Sequence, residues 1–237
     1  MQTNDPLASH AVMPSHSVSA KSDARRVLIV DDHPLVRAGL SAVINQESDL
    51  FVCGEAGTAR EAMELVQHTQ ADIVILDLTL PDGSGLDLIK RLAKRPGCPR
   101  LLVCSIHEES LFAQRALAAG ASGYINKQEA TTLVVTAIRK VLSGSNYLSE
   151  GMTQFLLRQL TGRVTNDSQA SVDSLTAREL EVFMLIGKCL SASKIGEQLH
   201  LSAKTIDTHR AKIKRKLNLS TSAELTRYAA QWVLEQH

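Results

Sequence analysis

Two adjacent acids, Asp31 and Asp32, a single Asp77, a hydroxyl at Ser105 and an ammonium at Lys127 are the groups in this sequence whose types and positions suggest chemistry. Three carboxylates brought together repel one another. A small hard dication such as Mg2+, held by carboxylates, a carbonyl and waters, relieves that repulsion and leaves positions for a phosphoryl oxygen. Taken singly, the same residues read plainly: an Asp closing a buried strand is usually a solvated cap, and Ser105 and Tyr124 are a strand-end hydroxyl and a half-buried aromatic. The chemical reading needs a fold in which they meet.

The hydrophobic pattern provides one. IVIL at 73–76 ends on Asp77, and Pro81, Gly83 and Gly85 mark a turn before the next helical pattern, as when an α/β sheet presents a carboxylate at its rim. VLIV (27–30), FVCGEA (51–56), LLVCS (101–105) and GYIN (123–126) are further strand-like runs. Apolar spacing predicts helices over about 34–46, 58–68, 84–94, 108–119 and 129–142. Five strands alternating with five helices imply a doubly wound, flavodoxin-like parallel sheet of strand order 2-1-3-4-5 with right-handed crossovers. The first and third strands are then neighbours about 4.8 Å apart, which brings Asp31, Asp32 and Asp77 to one edge.

The rest of the chain sets bounds. Its 237 residues suit one or two domains, and a net charge of +1 means that any nucleic-acid partner must meet a local patch. Cys53, Cys98, Cys104 and Cys189 lack metal-binding spacing and read as reduced thiols of a cytoplasmic protein. No run approaches the roughly 18 apolar residues of a membrane span, and residues 1–24, rich in Ser, Ala, His and Thr, read as a disordered tail. A helix is expected at about 150–161, within a linker of 144–174 whose stretch 163–174 has no pattern.

A second, all-helical domain follows over 172–236. Thr176 and Glu179 form a capping box for a helix over 177–187. Ser191 caps 192–199, Ser202 caps 203–216, and a fourth helix spans 221–234. Leu180, Phe183, Ile195, Leu199, Ile206, Ile213 and Leu217 can share one small core. The third helix carries Lys204, Arg210, Lys212, Lys214, Arg215 and Lys216 against Asp207 alone. On a free-standing helix that is a solvated face; as the second helix of a helix-turn-helix it is a nucleic-acid surface.

The residues Asp31, Asp32, Asp77, Ser105, Tyr124 and Lys127, with LDLTLPDGSG around Asp77 and GYINK at 123–127, resemble the receiver domain of two-component response regulators over about 26–143. The resemblance implies that Asp77 accepts a phosphoryl group and that Asp32, with Asp31 behind it, binds Mg2+ together with Asp77 and the backbone carbonyl of Thr79. It further implies that Lys127 pairs with the incoming group, that Ser105 donates to it once attached, and that Tyr124 turns into the vacated space. Thr79 and His107 lie near the path of an attacking water and should tune the lifetime of the phosphorylated state and any slow self-dephosphorylation. Ser84 stands where the family usually has an acid, a turn variation.

The string LTARELEVFMLI followed by LSASKIGEQLHLSAKTIDTHRAKIKRKLNL resembles a LuxR-type helix-turn-helix, so the whole looks like a NarL/FixJ-type response regulator. That implies double-stranded DNA and a histidine kinase as partners, and a homodimer when phosphorylated. Lys204, Thr205, Thr208 and Lys212 take the DNA-facing positions, with Arg210 and Asp207 beside them. Asp207 stands where many members are basic, and Ala192–Ser193 replaces the usual Asn-Lys. The expected switch has the receiver covering the helix over 203–216 until phosphorylation exposes it. Two alternatives stay open: a Mg2+-dependent phosphohydrolase, disfavoured because Thr79 sits where its second acid is needed, and a protein-interaction module without DNA binding. The chain has no GxxxxGK[ST] loop and is not expected to use ATP itself.

Overall fold

Five parallel strands carry the receiver half of the chain. The computed structural model describes residues 24–107, 109–160, 172 and 174–235. The expected tail over 1–24 and the stretch 163–174 lie outside these, apart from Ala24, Val172 and Ser174. In order, the first half comprises β1 (Arg25–Val30), α1 (Pro34–Asn45), β2 (Leu50–Ala56), α2 (Ala59–Thr69), β3 (Ile73–Leu76), β4 (Thr79–Leu80), β5 (Gly83–Ser84), α3 (Gly85–Ala93), β6 (Arg100–Ser105), α4 (Glu109–Ala119), β7 (Gly123–Asn126) and α5 (Ala130–Leu142). The sheet runs β2-β1-β3-β6-β7, the expected 2-1-3-4-5 once the two-residue β4 and β5 are set aside.

Strand periodicity builds two cores. Leu28, Val30, Val74 and Leu76 face α2, α3 and α4, whereas Val27, Ile29, Ile73 and Ile75 face α1 and α5. Burial on both faces is why these strands read as unbroken apolar runs. Register then aligns the reactive edge. Val30 pairs with Leu76, and the Asp77 amide donates to the Val30 carbonyl at 2.9 Å. Ser105 pairs with Asn126, and the Lys127 amide donates to the Ser105 carbonyl at 2.9 Å.

The small antiparallel hairpin of β4 and β5, unforeseen in the sequence, folds the segment after Asp77 back on itself, pairing Thr79 with Ser84. It depends on a close backbone approach. The Gly85 amide donates to the Leu78 carbonyl at 2.7 Å, and a Cβ on Gly85 would lie 2.1 Å from the Asp77 carbonyl oxygen. Asp82 at the hairpin tip accepts from the amides of Ala59 and Arg60 at 2.8 and 2.9 Å, capping α2 from outside.

Beyond the sheet, α6 (Glu150–Leu160) packs on α4, and α7 (Ala177–Gly187), α8 (Ala192–Gln198), α9 (Ala203–Lys216) and α10 (Ser222–Glu235) form the C-terminal helical domain. Its caps are those the sequence announces. Thr176 and Glu179 make the capping box, Ser191 accepts from the Lys194 amide, and Ser202 accepts from the Thr205 amide. All seven apolar residues expected to share a core are buried, joined by Leu225, Ala229 and Trp232 of α10. Arg115 of α4 ties the halves together by donating to the carbonyls of Val172 and Leu175. Among the described residues no helix is long and apolar enough to cross a membrane.

Gly85→Ala must displace backbone and is expected to lower stability by about 2–3 kcal/mol, measured by urea denaturation. Gly83→Ala, with nothing within 4 Å of the added carbon, should leave it unchanged.

Candidate functional site

The sheet edge brings the three acids and the lysine together. Lys127 Nζ lies 2.6 Å from Asp31 Oδ2 and 2.6 Å from Asp77 Oδ2, with the lysine side chain 8% exposed. The other Asp77 oxygen accepts from the Leu78 amide at 2.6 Å. The second Asp31 oxygen accepts from the His33 amide at 2.9 Å. Arg37 Nη1 donates to the Asp31 carbonyl at 2.6 Å, pinning the segment that leads into α1. Ser105, fully buried, accepts from the His107 amide at 3.4 Å. Tyr124 is already turned inward, and its hydroxyl donates to the His107 carbonyl at 2.9 Å.

Burial dominates the electrostatics. It pushes the Asp77 carboxyl above the ordinary carboxylate range, against the pull of Lys127 and with the nearby Asp31 adding to the rise. For Lys127 burial works the other way, but the charges of Asp77 and Asp31 outweigh it and hold the ammonium above its ordinary pKa. Burial also drives the Cys104 thiol up to about 12, so this neighbour of the site is an inert packing group.

A cation fits this donor set. Asp31, Asp32, His33 and Asp77 each offer a ligand atom within 4.8 Å of the others. Asp32 Oδ1 is buried and accepts no hydrogen bond among the described residues; the 2.6 Å approach of His33 Nδ1 is out of hydrogen-bonding alignment. The three carboxylates of this group, one of them with an unsatisfied oxygen, suit a hard dication. Thr79, buried in the wall, places its hydroxyl 3.0 Å from His107 Nε2. His33 escaped the sequence reading, although its place directly after Asp31–Asp32 was a signal.

On α9, Lys204, Asp207, Thr208 and Lys212 are exposed, while Thr205 and Arg210 are half-buried. Ile206 and Ile213 hold the opposite side in the core. Two hydroxyls are engaged locally: Thr205 with Ser202 at 2.8 Å, and Thr208 with the Lys204 carbonyl at 3.0 Å. Lys216 turns away from the basic face and pairs with Glu179 at 2.6 Å. The receiver does not cover this face as expected. It meets the domain at the turn before α9, where His200 Nε2 lies 3.0 Å from Asp32 Oδ2, and at the flank of α9, where His209 shares a groove with Pro81, Asp82 and Lys90. The physical reason is the docking geometry, which puts the turn and not the helix face against the acids.

A second junction was invisible in the sequence. Glu181 of α7 is 1% exposed, paired with Arg178 at 2.7 Å through one oxygen, and the other oxygen has no hydrogen-bond partner among the described residues. That second oxygen lies 3.9 Å from His107 Nε2. Burial pushes the Glu181 carboxyl up to about 7, against the pull of Arg178. Burial pushes His107 down to about 4, so its ring is neutral near pH 7 and the contact is not an ion pair.

Known proteins share this domain organisation. The family model of the response regulator receiver domain matches residues 27–139, and that of bacterial regulatory proteins of the luxR family matches 173–229. Response regulator UvrY of Escherichia coli (strain K12) is 34% identical over 204 residues, 86% of this chain and 92% of that protein. A LuxR-family two-component response regulator from Aurantimonas sp. SI85-9A1 is 36% identical, covering 58% of this chain and 99% of its own, with a TM-score of 0.54. RcsB from Salmonella enterica serovar Typhimurium, solved bound to a promoter in the presence of phosphomimetic BeF3-, matches the fold over 87% of this chain and 98% of its own, at 23% identity and a TM-score of 0.58. The chain belongs to the two-component response regulators of the NarL/FixJ type, a receiver joined to a LuxR-type helix-turn-helix. It is a regulator of transcription and not an enzyme of the ordinary kind, which sets aside the phosphohydrolase and the module without DNA binding.

Glu181 gives a pH signature. The folded chain keeps a proton on this carboxyl up to about pH 7, whereas the unfolded chain loses it near the ordinary value of 4.5. Its contribution to stability is therefore full below about pH 4.5 and falls as pH rises to about 7. Glu181→Gln should abolish that fall, so the melting temperature of the variant relative to the parent should rise between pH 5 and pH 8. A difference that stays constant across this range would count against the buried carboxyl.

Proposed function

We propose that Asp77 is the phosphoryl acceptor of this regulator and that a partner histidine kinase supplies the group. The observation that carries the reading is the Lys127 ammonium held 2.6 Å from both Asp31 and Asp77 at the carboxyl edge of the sheet. Asp31, Asp32 and Asp77, with the Thr79 carbonyl, are the residues that would hold Mg2+. When bound, the ion neutralises charge on the phosphoryl oxygens. The chain's own groups do the rest. Asp77, kept in place by the Leu78 amide and Lys127, presents a carboxylate oxygen to phosphorus while the bond to the donor nitrogen breaks and that nitrogen keeps the electron pair.

After transfer, the ammonium of Lys127 moves from its carboxylate partner to a phosphoryl oxygen, and the buried Ser105 hydroxyl donates to another. The phosphorylated side chain carries roughly −1.5 to −2 charges in place of the single charge of the free carboxylate. His107, bonded to Thr79 and carrying the Tyr124 hydroxyl on its carbonyl, lies on the route by which Ser105 and Tyr124 reach the C-terminal domain at Glu181. Thr79 and His107 also flank the path of a water that would hydrolyse the acyl phosphate, which makes slow self-dephosphorylation a property of their bulk.

On the output side, Lys204, Thr205, Asp207, Thr208, Arg210 and Lys212 face the major groove, with residues 26–143 acting as the receiver unit and 172–236 as the DNA-binding unit. The phosphorylated form pairs into a homodimer on half-sites about one helical turn apart. The protein works in the cytoplasm, where both kinase domain and DNA are met.

Asp77→Asn should abolish phosphoryl uptake from a small-molecule donor, measured by phosphate-affinity electrophoresis; uptake at the parent level would remove Asp77 from the mechanism. Lys204→Ala with Lys212→Ala should weaken operator binding and lower the slope of log affinity against log salt by about 2. An unchanged slope would mean that α9 does not meet the phosphates.

A further inference from the structure

One residue of the output domain sits in the input site. His200 lies in the turn between α8 and α9, with φ 53, the left-handed region. Arg178 of α7 donates to the carbonyl of Leu199, holding the turn from inside its own domain. In this conformation the imidazole Nε2 stands 3.0 Å from Asp32 Oδ2, a contact spanning 168 residues of chain. His33 Nδ1 lies 2.6 Å from the other oxygen of the same carboxylate. Both oxygens of Asp32 are thus approached by imidazoles, one of them supplied by the helix-turn-helix.

Mg2+ binds oxygen at about 2.0–2.1 Å, demands a near-octahedral shell and keeps several waters. An imidazole 3.0 Å from the ligand oxygen occupies the volume that those waters need. We infer that His200 is a tethered competitor for the cation pocket: Mg2+ binding at Asp32 requires His200 to withdraw, so cation binding and release of the helix-turn-helix from the receiver are one coupled equilibrium, already operating before phosphoryl transfer. This rests on the reading of Asp31, Asp32 and Asp77 as the Mg2+ site. It goes beyond that reading by making a residue of the output domain govern occupation of the input site.

Linkage fixes the magnitudes. The factor by which Mg2+ weakens docking equals the factor by which docking weakens Mg2+ binding. Apparent affinity falls by the fraction of molecules competent to bind, so a chain about nine-tenths docked binds roughly tenfold more weakly than the undocked form. Release of His200 also frees the turn that precedes α9, the helix carrying Lys204 and Lys212.

The chain carries its own reporter. Trp232 is its only tryptophan. With Ile106, His107 and Leu111 of the receiver it lines a cavity of about 140 Å³ between the domains, so its emission reads their separation. The experiment titrates MgCl2 at constant pH and ionic strength into the full chain, into His200→Asn, whose side chain tolerates the left-handed turn, and into Asp32→Asn. It follows Trp232 emission and measures Mg2+ affinity by calorimetry. In the parent chain, Mg2+ should shift the emission to the red. His200→Asn should bind Mg2+ about threefold to tenfold more tightly and begin with its emission already shifted. Equal or weaker binding by His200→Asn, or an emission blind to Mg2+ while calorimetry records binding, overturns the competitor. Asp32→Asn separates the layers: undiminished Mg2+ binding by that variant overturns the cation site itself, whereas its loss leaves the site standing and the comparison at His200 decisive.

Discussion

The ammonium of Lys127, enclosed between Asp31 and Asp77, is the interaction on which the rest of the receiver depends. Two carboxylates, each nearly buried, cannot both ionise so close together without a positive charge between them. Breaking a buried pair by removing one partner costs about 3–5 kcal/mol, because the other charge is left unpaired. Apolar residues of similar volume often serve stability as well or better. The cluster is therefore poorly explained as a staple and well explained as a site that must exchange one charged partner for another. Holding it needs three strand ends in register, which the pairings of β1 with β3, β3 with β6, and β6 with β7 provide.

From that cluster, contacts lead outward through a short segment. Ser105 closes β6, its hydroxyl accepts from the His107 amide, and the His107 carbonyl accepts from Tyr124. The His107 ring stacks on Phe112 with centroids 4.6 Å apart and also meets Thr79. Glu181 approaches the same ring from the other domain. Ser105 and Tyr124 thus both contact a residue that the output domain also touches. Such a route carries coupling only if its contacts differ between two states of the chain. The unpartnered Glu181 oxygen shows that the junction is incompletely satisfied as it stands, which leaves room for a second arrangement.

Much of this was legible in the sequence. Apolar runs ending on Asp31–Asp32, Asp77 and Ser105 announce both the sheet and its rim, because strands buried on two faces leave polar residues only at their ends. Ser191 and Ser202 announce helix starts, because each satisfies an amide that would otherwise lack an acceptor. The two-residue strands β4 and β5 were not legible, since two residues carry no period and the hairpin exists through the contact of Gly85 with the backbone after Asp77. Glu181 carries no signal of burial in the sequence, yet it is buried where α7 meets the receiver. Lys216 reads as part of the basic face, yet it is drawn to Glu179, whose carboxylate also completes the Thr176 cap. The misses at Glu181 and Lys216 are contacts between segments far apart in sequence, and such contacts leave no local pattern.

The docked domains join through contacts of modest strength, and a switch requires that. The approach of His200 to Asp32 is partly solvated, with the imidazole 44% exposed, and exposed pairs contribute about 0–1 kcal/mol. The Arg115 contacts to the Val172 and Leu175 carbonyls are side chain to backbone and can be replaced by water. Moving a two-state equilibrium from one part in a hundred to ninety-nine takes about 5.5 kcal/mol of differential binding. An interface stabilised by a large apolar seam would place that beyond the reach of one phosphoryl group. The junction here combines an apolar part, where Ile106, Leu111, Met184, Leu185 and Trp232 line one cavity, with a few polar contacts at Asp32 and His107, and a phosphoryl group placed at Asp77 as proposed would act on those polar contacts at short range. The buried Lys127 pairing thus belongs to the receiver, while the junction sets the partly solvated approach of His200 to Asp32 beside the buried Glu181.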